Sequence, residues 1–248
     1  MLLKTEALVL HSLKYGEGRL IVTLFTREAG RLSCMVNVPK TSRGRLKKQY
    51  FQPLSLLNVE VDVRPRVQLQ RLRHAAMAVV YGSLAFERGK LAVGLFLAEF
   101  LYRALRGEQQ PDERLFDYIR HSLEWLDQRP SGYANFHLVF LMHLSRFLGF
   151  YPNLDIPSQT RGPLFFDLRE GGFTEQPPLH QDFLEADESV RIMTMMRMDY
   201  KNMHLFRMNR NDRVRCLEVV LRYYRLHLPA FPELKSLSVL QEVFSADQ

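Results

Sequence analysis

The sequence predicts an α+β protein in which a five-stranded barrel is followed by a mostly α-helical region. Short apolar runs rich in β-branched residues occupy the first 74 residues. An apolar period of three to four residues begins after residue 75, and a segment rich in Pro and Gly interrupts it at about 151–180. We therefore expect a barrel domain at 1–74 and a helical domain at 75–248 that carries a small irregular insertion.

Five strand-like runs justify the barrel. They lie at 2–13, 20–25, 32–38, 54–63 and 67–72, and turn signals at Gly16, Gly18 and Gly30 separate the first three. Five short strands in about 75 residues are typical of a small closed barrel, and the OB-fold is the nucleic-acid-binding form of it. An SH3-like barrel would give much the same pattern.

The helical region is predicted from apolar stripes. The first stripe comprises Leu91, Leu95, Ala98, Leu101 and Leu105, and others lie at 115–126, 136–148 and 214–228. Helical spacing resumes at 182 after the insertion, and a last short helix is expected after 232. Within the insertion, residues 164–166 are strand-like, with a hairpin return expected near 173.

Composition excludes several classes of protein. The 248 residues are 46% hydrophobic and 25% charged, so a disordered chain, a collagen-like repeat or a coiled-coil rod is not expected. Charges interrupt every candidate membrane span, and the first residues do not have the pattern of an export signal. We expect a cytoplasmic protein.

The charge of the chain is unevenly distributed. The net charge is +7, but residues 1–74 alone hold 14 basic and five acidic residues. A second basic block spans 191–225, and the region between the two blocks is acidic. Single cations usually only solvate a surface, whereas a block of this density is the footprint of a protein that binds a polyanion.

The densest cationic cluster lies between the third and fourth strand-like runs. It consists of Lys40, Arg43, Arg45, Lys47 and Lys48. A basic loop beside a small barrel supplies phosphate contacts, while aromatic side chains offer stacking surfaces to bases. The candidate platforms are Tyr15, Phe25, Tyr50 and Phe51, although any of them could instead fill the barrel, and Phe25 is expected to do so. The alternative is a merely solvated loop.

The second block places Arg215, Arg222 and Arg225 near one helix face. Two interpretations stay open. The face binds DNA or an acidic protein, or its cations pair within the chain, with Glu218 or with the acidic middle region.

Signatures of enzymes are missing from the sequence. Gly89-Lys90 lacks the remaining residues of a phosphate-binding loop, and His137 and His143 are spaced too far apart for joint metal ligation on a helix. The carboxylates near 182–188 are expected to complement a helix dipole. Cys34 and Cys216 form no metal-binding pair. We expect no catalytic residue, no cofactor and no metal.

The order of motifs resembles the RecO family of bacterial recombination mediators. The matching residues in the first domain are Ala7-Leu8-Val9-Leu10, Tyr15-Gly16-Glu17, Leu24-Phe25-Thr26-Arg27-Glu28, Gly30-Arg31-Leu32, Gln52-Pro53 and Leu56-Leu57. Weaker matches continue at Glu99-Phe100-Leu101, Leu115-Phe116, Phe136, Leu148-Gly149, Gly171-Gly172-Phe173 and Leu234-Lys235-Ser236-Leu237. Together they extend over nearly the whole chain.

The resemblance implies an OB-fold, binding of single- and double-stranded DNA, and annealing of complementary strands in DNA repair. It also implies that RecR and the acidic tail of single-stranded-DNA-binding protein are partners in loading RecA, in the cytoplasm at the nucleoid. Family DNA contacts map onto Lys40, Arg43, Arg45, Lys47 and Lys48, with Arg19, Arg27 and Arg31 as lesser candidates. The candidates for binding the acidic tail are Arg191, Arg197, Lys201 and Arg207.

The sequence departs from the family pattern at two places. Many relatives carry a four-cysteine zinc ribbon in the insertion, whereas residues 151–178 contain no cysteine, so zinc is not expected. The basic loop opens with Val38-Pro39-Lys40 where the family often has Gly-Ala-Arg. An RNA-binding OB module with a helical adaptor is the alternative function; a magnesium-dependent nucleic-acid enzyme is the third.

Overall fold

The structure is a computed structural model that describes residues 1–38, 46–155 and 162–246. The strands are β1 (Leu2–Lys14), β2 (Arg19–Thr26), β3 (Gly30–Asn37), β4 (Leu56–Asp62), β5 (Leu69–Met77), β6 (Phe165–Asp167), β7 (Gly172–Thr174) and β8 (Phe183–Leu184). The helices are α1 (Arg88–Ala104), α2 (Glu113–Gln128), α3 (Phe136–Phe147), α4 (Ala186–Arg197), α5 (Arg210–His227) and α6 (Ser236–Ala246). Short 3-10 turns occupy Lys48–Phe51 and Met203–Leu205.

The chain forms two compact units. The first consists of Met1–Gln128 together with Leu234–Gln248, and the second consists of Arg129–Glu233. The first unit therefore contains the barrel with α1, α2 and α6, and the second contains α3, α4, α5 and the small sheet. The helical region of the sequence is divided between the two units.

The first five strands close into a barrel in the order β1-β2-β3-β5-β4. All neighbouring pairs are antiparallel except β3 and β5, which are parallel over Ser33 to Met35. Alternate side chains point inward and form a buried core that includes Val9, Val22, Cys34, Val59 and Leu72. The predicted OB-fold barrel followed by a helical region is thus confirmed, and β5 ends at Met77.

β1 is long enough to pair with both β2 and β4, which closes the barrel. Its pairing with β2 is interrupted by a β-bulge between Val9 and His11. A bulge places an extra residue on one strand and re-aims the neighbouring side chains. Leu10 and His11 are thereby brought to the side of the barrel that faces α1.

The predicted stripe of α1 is confirmed in its second half only. Ala98, Leu101 and Leu105 are buried, whereas Leu91 and Leu95 are exposed. The core face of the helix also contains Phe96, Leu97 and Phe100, which are fully buried. Apolar side chains surround most of this helix, so spacing alone did not identify the face that packs inward. In α2, by contrast, the predicted stripe from Leu115 to Leu126 is buried throughout.

The insertion in the second unit folds as a three-stranded sheet of order β7-β6-β8. The strand near 164–166 and the hairpin return at Phe173 are confirmed. The next helix begins at Ala186 and not at Asp182, because Phe183 and Leu184 pair with β6 before the helix starts.

Aromatic packing holds this small sheet. The rings of Phe166 and Phe173 lie 5.0 Å apart and those of Phe165 and Phe183 lie 6.0 Å apart. Tyr223 of α5 packs beside Phe166 and donates a hydrogen bond to the Phe150 carbonyl at 2.7 Å. Offset and edge-on aromatic pairs add stability beyond their buried area, and here they form the core of the insertion.

Candidate nucleic-acid interface

The outer face of the barrel presents a shallow groove where β2, β3 and β5 lie side by side. Register places Arg19 opposite Asn37 and Met35 beside Arg71. Two adjoining depressions share Met35 and Asn37; Arg19 lines one of them, and Arg71 and Arg73 line the other. We call this surface, formed by Arg19, Met35, Asn37, Arg71 and Arg73, the outer-face groove. The faces of strands 2 and 3 are where OB-folds bind oligonucleotides.

The loop between β4 and β5 adds two further cations, Arg64 and Arg66. Gln70 fixes this loop, because its side chain accepts a hydrogen bond from the Arg64 N–H at 2.8 Å and donates to the carbonyls of Arg64 and Val67. Gln70 is itself buried. Arg66 adopts a left-handed backbone conformation, with φ of 63°, which a tight turn demands of a residue at that position. The loop is therefore held in one arrangement.

Four arginines of the barrel are exposed and have no carboxylate partner in the part of the chain that the structure describes. They are Arg19 and Arg71 of the outer-face groove and Arg64 and Arg66 of the β4–β5 loop. Arg73 also reaches the surface but pairs with Asp62 at 2.5 Å. Uncompensated cations on one surface attract phosphate groups and release counterions when they bind them. The electrostatics of the groove suit a polyanion.

The basic loop predicted from the sequence begins and ends at the same groove. Its first described flank, Val38, lies beside Arg19, and its second, Leu46, lies beside Arg71. Lys47 and Lys48 follow Leu46 and are exposed. Lys40, Arg43 and Arg45 lie outside the described residues. Of the predicted set, the structure thus places Arg19 in the groove, and Lys47 and Lys48 follow Leu46, which lines it.

Arg31 lies opposite Phe25, six residues and about 20 Å along the β2–β3 ladder from Arg19 at the rise of a strand, and Arg27 follows the last residue of β2, about 27 Å from Arg19. Arg27 pairs with Asp117 and with Glu113 of α2. The Arg31 guanidinium donates to the Tyr102 carbonyl at 2.8 Å and stacks on the ring of Tyr102. Burial lowers the pKa of Arg31. Both side chains are engaged by helices of the same unit.

Of the four aromatic candidates, Tyr15 is the exposed one, with 52% of its surface accessible in the β1–β2 turn. Phe25 is fully buried against Phe116, as predicted. Phe51 lies in the barrel core, and Tyr50 packs partly against that core. Tyr15 is therefore the aromatic side chain of this set that can offer a ring to a base.

Part of the second basic block is paired within its own unit. Arg215 donates to both oxygens of Glu188, at 2.6 and 2.7 Å, and Arg222 reaches Asp182 at 3.1 Å. The hydrogen bonds from Arg215 lower the pKa of Glu188. Intramolecular pairing, one of the two interpretations left open by the sequence, is confirmed for Arg215 and Arg222.

The four candidates for an acidic tail differ in exposure. Arg191 contacts Asp212 at 3.4 Å, whereas Arg197, Lys201 and Arg207 are exposed at and after the end of α4. Leu205 lies between Lys201 and Arg207 in the chain and is 69% exposed. This segment combines cations with an apolar side chain.

The structure adds four candidate residues that the sequence prediction did not include: Arg71 and Arg73 in the groove, and Arg64 and Arg66 in the β4–β5 loop. The signal was present, since Arg71 and Arg73 are two residues apart in or beside a predicted strand and so share one face. Arg64-Pro65-Arg66 stands at a turn between two predicted strands. Loops between strands carry much of the binding chemistry of barrel proteins.

Within the described ranges, no three His, Cys, Asp or Glu side chains are grouped as a metal site would require. Cys34 and Cys216 are buried free thiols, and burial raises the pKa of Cys34 to about 12. None of the helices described by the structure is long and apolar enough to cross a membrane.

The barrel, the cationic outer-face groove and the helical region define an OB-fold protein with a helical extension. Residues 1–81 match the family model described as "Recombination protein O N terminal", and residues 86–238 match "Recombination protein O C terminal". The chain is 48% identical over 245 residues to the DNA repair protein RecO of Bacteroides fragilis, covering 98% of this chain and all of that protein.

Two further relatives agree. The RecO protein of Phocaeicola vulgatus is 47% identical and that of Porphyromonas gingivalis is 32% identical; the matches cover 99% and 98% of this chain and the full length of each relative. The chain belongs to the RecO family of DNA repair proteins.

Proposed function

We propose that this protein is a recombination mediator that binds single- and double-stranded DNA and anneals complementary strands. With RecR, it helps to load RecA onto DNA coated by single-stranded-DNA-binding protein, in the cytoplasm at the nucleoid. The observation that carries the proposal is a set of four exposed arginines, Arg19 and Arg71 in the outer-face groove and Arg64 and Arg66 in the β4–β5 loop, none of which has a carboxylate partner among the described residues.

Phosphate neutralisation is the proposed mechanism. Two DNA strands repel each other, and cations on one rigid surface lower that repulsion by replacing the counterions of both strands. The groove cations are fixed by strands and by the Gln70 contacts, while the basic loop adds Lys40, Arg43, Arg45, Lys47 and Lys48. Contacts to phosphate carry no sequence information, which suits a protein that must act on any sequence. No turnover and no cofactor is needed for this mechanism.

Arg27 and Arg31 have a different part in the proposal. Their guanidinium groups are engaged by α2 and by Tyr102, so we assign them to holding the barrel against its helices and not to phosphate contacts.

Capture of an acidic protein tail is the second part of the proposal. The exposed segment with Arg197, Lys201, Leu205 and Arg207 offers cations next to an apolar side chain, and Arg191 lies on the preceding helix. An acidic tail with an apolar residue fits such a surface by charge complementarity. Holding the tail would weaken the grip of the single-stranded-DNA-binding protein on DNA and expose the strands for annealing.

Salt dependence of DNA binding tests the groove. The double variant Arg19→Ala/Arg71→Ala should weaken binding to all sequences and reduce the slope of log affinity against log salt by about 0.7 per contact on single strands. Replacing the five cations of the basic loop with Ala should reduce this slope further. Lys4→Ala is the matched control, because Lys4 is a barrel cation already paired with Glu60 at 3.0 Å. Unchanged slopes for the groove and loop variants would remove both from the interface.

Annealing tests the mediator function. Two complementary oligonucleotides are coated with single-stranded-DNA-binding protein, with or without its acidic tail, and mixed with this protein in the absence of ATP. We expect faster annealing that depends on the tail, and loss of that dependence in Lys201→Glu/Arg207→Glu. No acceleration despite good DNA binding would contradict the proposal, and tighter binding to a matched RNA oligomer would favour an RNA module.

A further inference from the structure

An open groove of about 860 Å³ lies in the first unit, between the barrel and α1, and the proposed DNA function does not use it. We call it the α1 groove. Its lining is mainly apolar and includes Leu10, His11, Leu54, Tyr81, Leu91, Leu95 and Tyr102. Grooves of this size and character are where proteins bind ligands or partner segments. It shares no lining residue with the outer-face groove.

The walls of the α1 groove expose apolar side chains that the fold leaves uncovered. Leu91 and Leu95 of α1 are 42% and 50% exposed, and Val80 and Phe86 at the rim are 81% and 79% exposed. Leu91, Leu95 and Tyr102 follow one side of α1 for 11 residues, about 16 Å. Contiguous exposed apolar surface of this kind marks an interaction site.

Two backbone irregularities shape the floor of the groove. The β-bulge of β1 brings Leu10 and His11 to it, and Leu54 adopts a left-handed conformation with φ of 68°. The Tyr81 hydroxyl donates to the Leu54 carbonyl at 3.2 Å and holds that residue in place. Such conformations are unfavourable for a branched side chain and persist where the surroundings enforce them, often at binding sites.

The charged side chains that line the groove are Glu99 and Arg103. Burial raises the pKa of Glu99, but hydrogen bonds from Ser236 and Lys235, and to a smaller extent the nearby Arg103, outweigh burial and lower that pKa. The Glu99 carboxylate is thus engaged within the chain, and the Arg103 guanidinium faces solvent. The Glu99 carboxylate accepts hydrogen bonds from the backbone N–H groups of Lys235 and Ser236 and from the Ser236 hydroxyl. Burial, together with Arg103 and Arg31, lowers the pKa of His11 and so disfavours its charged form. Arg103 is exposed, stacks on Tyr102 and has no carboxylate within 4.0 Å among the described residues.

We propose that the α1 groove binds an amphipathic α-helix of a protein partner, which buries its apolar face on Leu91 and Leu95 and places a carboxylate against Arg103. A helix of about three turns matches the length of the apolar row. Its apolar residues would recur at i, i+3 or i+4 and i+7, the pattern by which helices bind in apolar grooves. The single cation at one end sets the direction of the bound helix.

Two stapled synthetic helices of about 14 residues test this proposal. Both have Leu at the same positions, and the other positions are Glu in one and Lys in the second. We expect the Leu/Glu helix to bind at least about tenfold more tightly in fluorescence anisotropy, a difference of about 1.4 kcal/mol. Leu95→Gln should weaken binding of the Leu/Glu helix, and Arg103→Glu should reverse the preference between the two helices.

Arg106→Glu is the matched control for charge, because Arg106 is an exposed cation three residues from Arg103 that does not line the groove. The control is needed because the basic chain as a whole attracts acidic peptides. Arg106→Glu should leave the preference for the Leu/Glu helix intact. Leu95 is half exposed, so Leu95→Gln should fold and bind DNA normally. If Leu95→Gln did not weaken binding of the Leu/Glu helix, the proposal would be overturned. So would sedimentation showing that the protein forms dimers which Leu95→Gln dissociates, because the occupant would then be a second copy.

Discussion

Arg27 donates from both Nε and Nη2 to the carboxylate of Asp117, at 3.1 Å to each oxygen. This paired contact joins the β2–β3 turn to α2, and Arg120 of α2 reaches back to Glu6 of β1 at 2.6 Å. The hydrogen bonds from Arg27 lower the pKa of Asp117. A cation that the sequence grouped with DNA contacts therefore stabilises the first unit.

Separate substitutions of Arg27 and Arg19 should show that Arg27 contributes to stability and Arg19 contributes to DNA binding. Arg27→Gln should lower the midpoint of urea unfolding at neutral pH and leave the salt slope of DNA binding unchanged. Arg19→Gln should reduce that slope by about 0.7 on single strands and leave unfolding unchanged. Because the folded pKa of Asp117 is depressed, its contribution is present above the unfolded pKa of about 3.9 and is lost as the pH falls through the folded value. The stability defect of Arg27→Gln should shrink in acid, and a loss of DNA affinity in that variant would return Arg27 to the interface.

Gln70→Leu should disturb the arginine loop between β4 and β5. The substitution keeps the buried volume but leaves the Arg64 N–H and the carbonyls of Arg64 and Val67 without their partner. We expect a cost of about 1–3 kcal/mol in the free energy of unfolding and weaker binding of single-stranded DNA. Gln68→Leu, an exposed position in the same loop, is the control. Equal effects of the two substitutions would show that Gln70 does not hold the loop.

Acid should destabilise the second unit through His137. This side chain is fully buried in α3, and burial, with a smaller contribution from Arg213, lowers its pKa to about 3. Below an unfolded pKa of about 6.5, the unfolded chain binds a proton that the folded chain excludes. Stability should therefore fall by about 1.4 kcal/mol per pH unit between those two pKa values.

Urea unfolding of wild type and His137→Gln across this pH range measures the effect. The slope of the variant should be shallower by about 1.4 kcal/mol per pH unit, whatever its stability at neutral pH, and the part that remains comes from carboxylates with lowered pKa values such as Glu188. His121→Gln, at an exposed position on α2, should keep the slope of the wild type. Parallel profiles for wild type and His137→Gln would show that His137 does not exclude the proton.

Asp127 should prove important for the turn that precedes α1. Its carboxylate accepts the backbone N–H groups of Gly82, Ser83 and Leu84 at 2.9, 2.8 and 2.6 Å, and its own carbonyl accepts from the buried Lys90 at 3.0 Å. Asp127→Ala should cost about 2 kcal/mol in the free energy of unfolding, because it leaves these N–H groups without their acceptor. Asp127→Asn keeps one acceptor oxygen and should cost less. An equal cost for both variants would show that the carboxylate does not hold this turn.

The barrel was predictable because each strand has one buried face. The alternation in β4, with Leu57, Val59 and Val61 inside and polar residues between them, is visible in the sequence and in the burial. α1 was harder, since the stripe that includes Leu91 and Leu95 and the core face with Phe96 and Phe100 are both apolar. Periodicity identifies a helix but does not say which of two apolar faces turns inward.

The basic charge of the site could be predicted from the sequence, but the spatial arrangement of its residues could not. Counting cations identified the basic first 74 residues, but only the pairing of β3 with β2 and β5 shows that Arg71 is the partner of Met35, two residues along β3 from Asn37, the partner of Arg19. Long-range pairing of this kind leaves no local signal. The same limit explains why Arg27 and Arg31 looked equivalent to Arg19, since their carboxylate and carbonyl partners are 71 to 90 residues away in the sequence.

The return of residues 234–248 to the first unit has a consequence for biosynthesis. Glu99 of α1 captures the backbone of Lys235 and Ser236, and α6 packs on α1. A ribosome makes the chain in order, so the barrel with α1 and α2 emerges early but waits for α6 until all of Arg129–Glu233 has been translated. Until then the α6-binding side of α1 is uncovered, whereas the second unit is contiguous in sequence and can finish folding as soon as it has left the ribosome. The first unit, although its barrel is translated first, is therefore the last of the two units to finish folding.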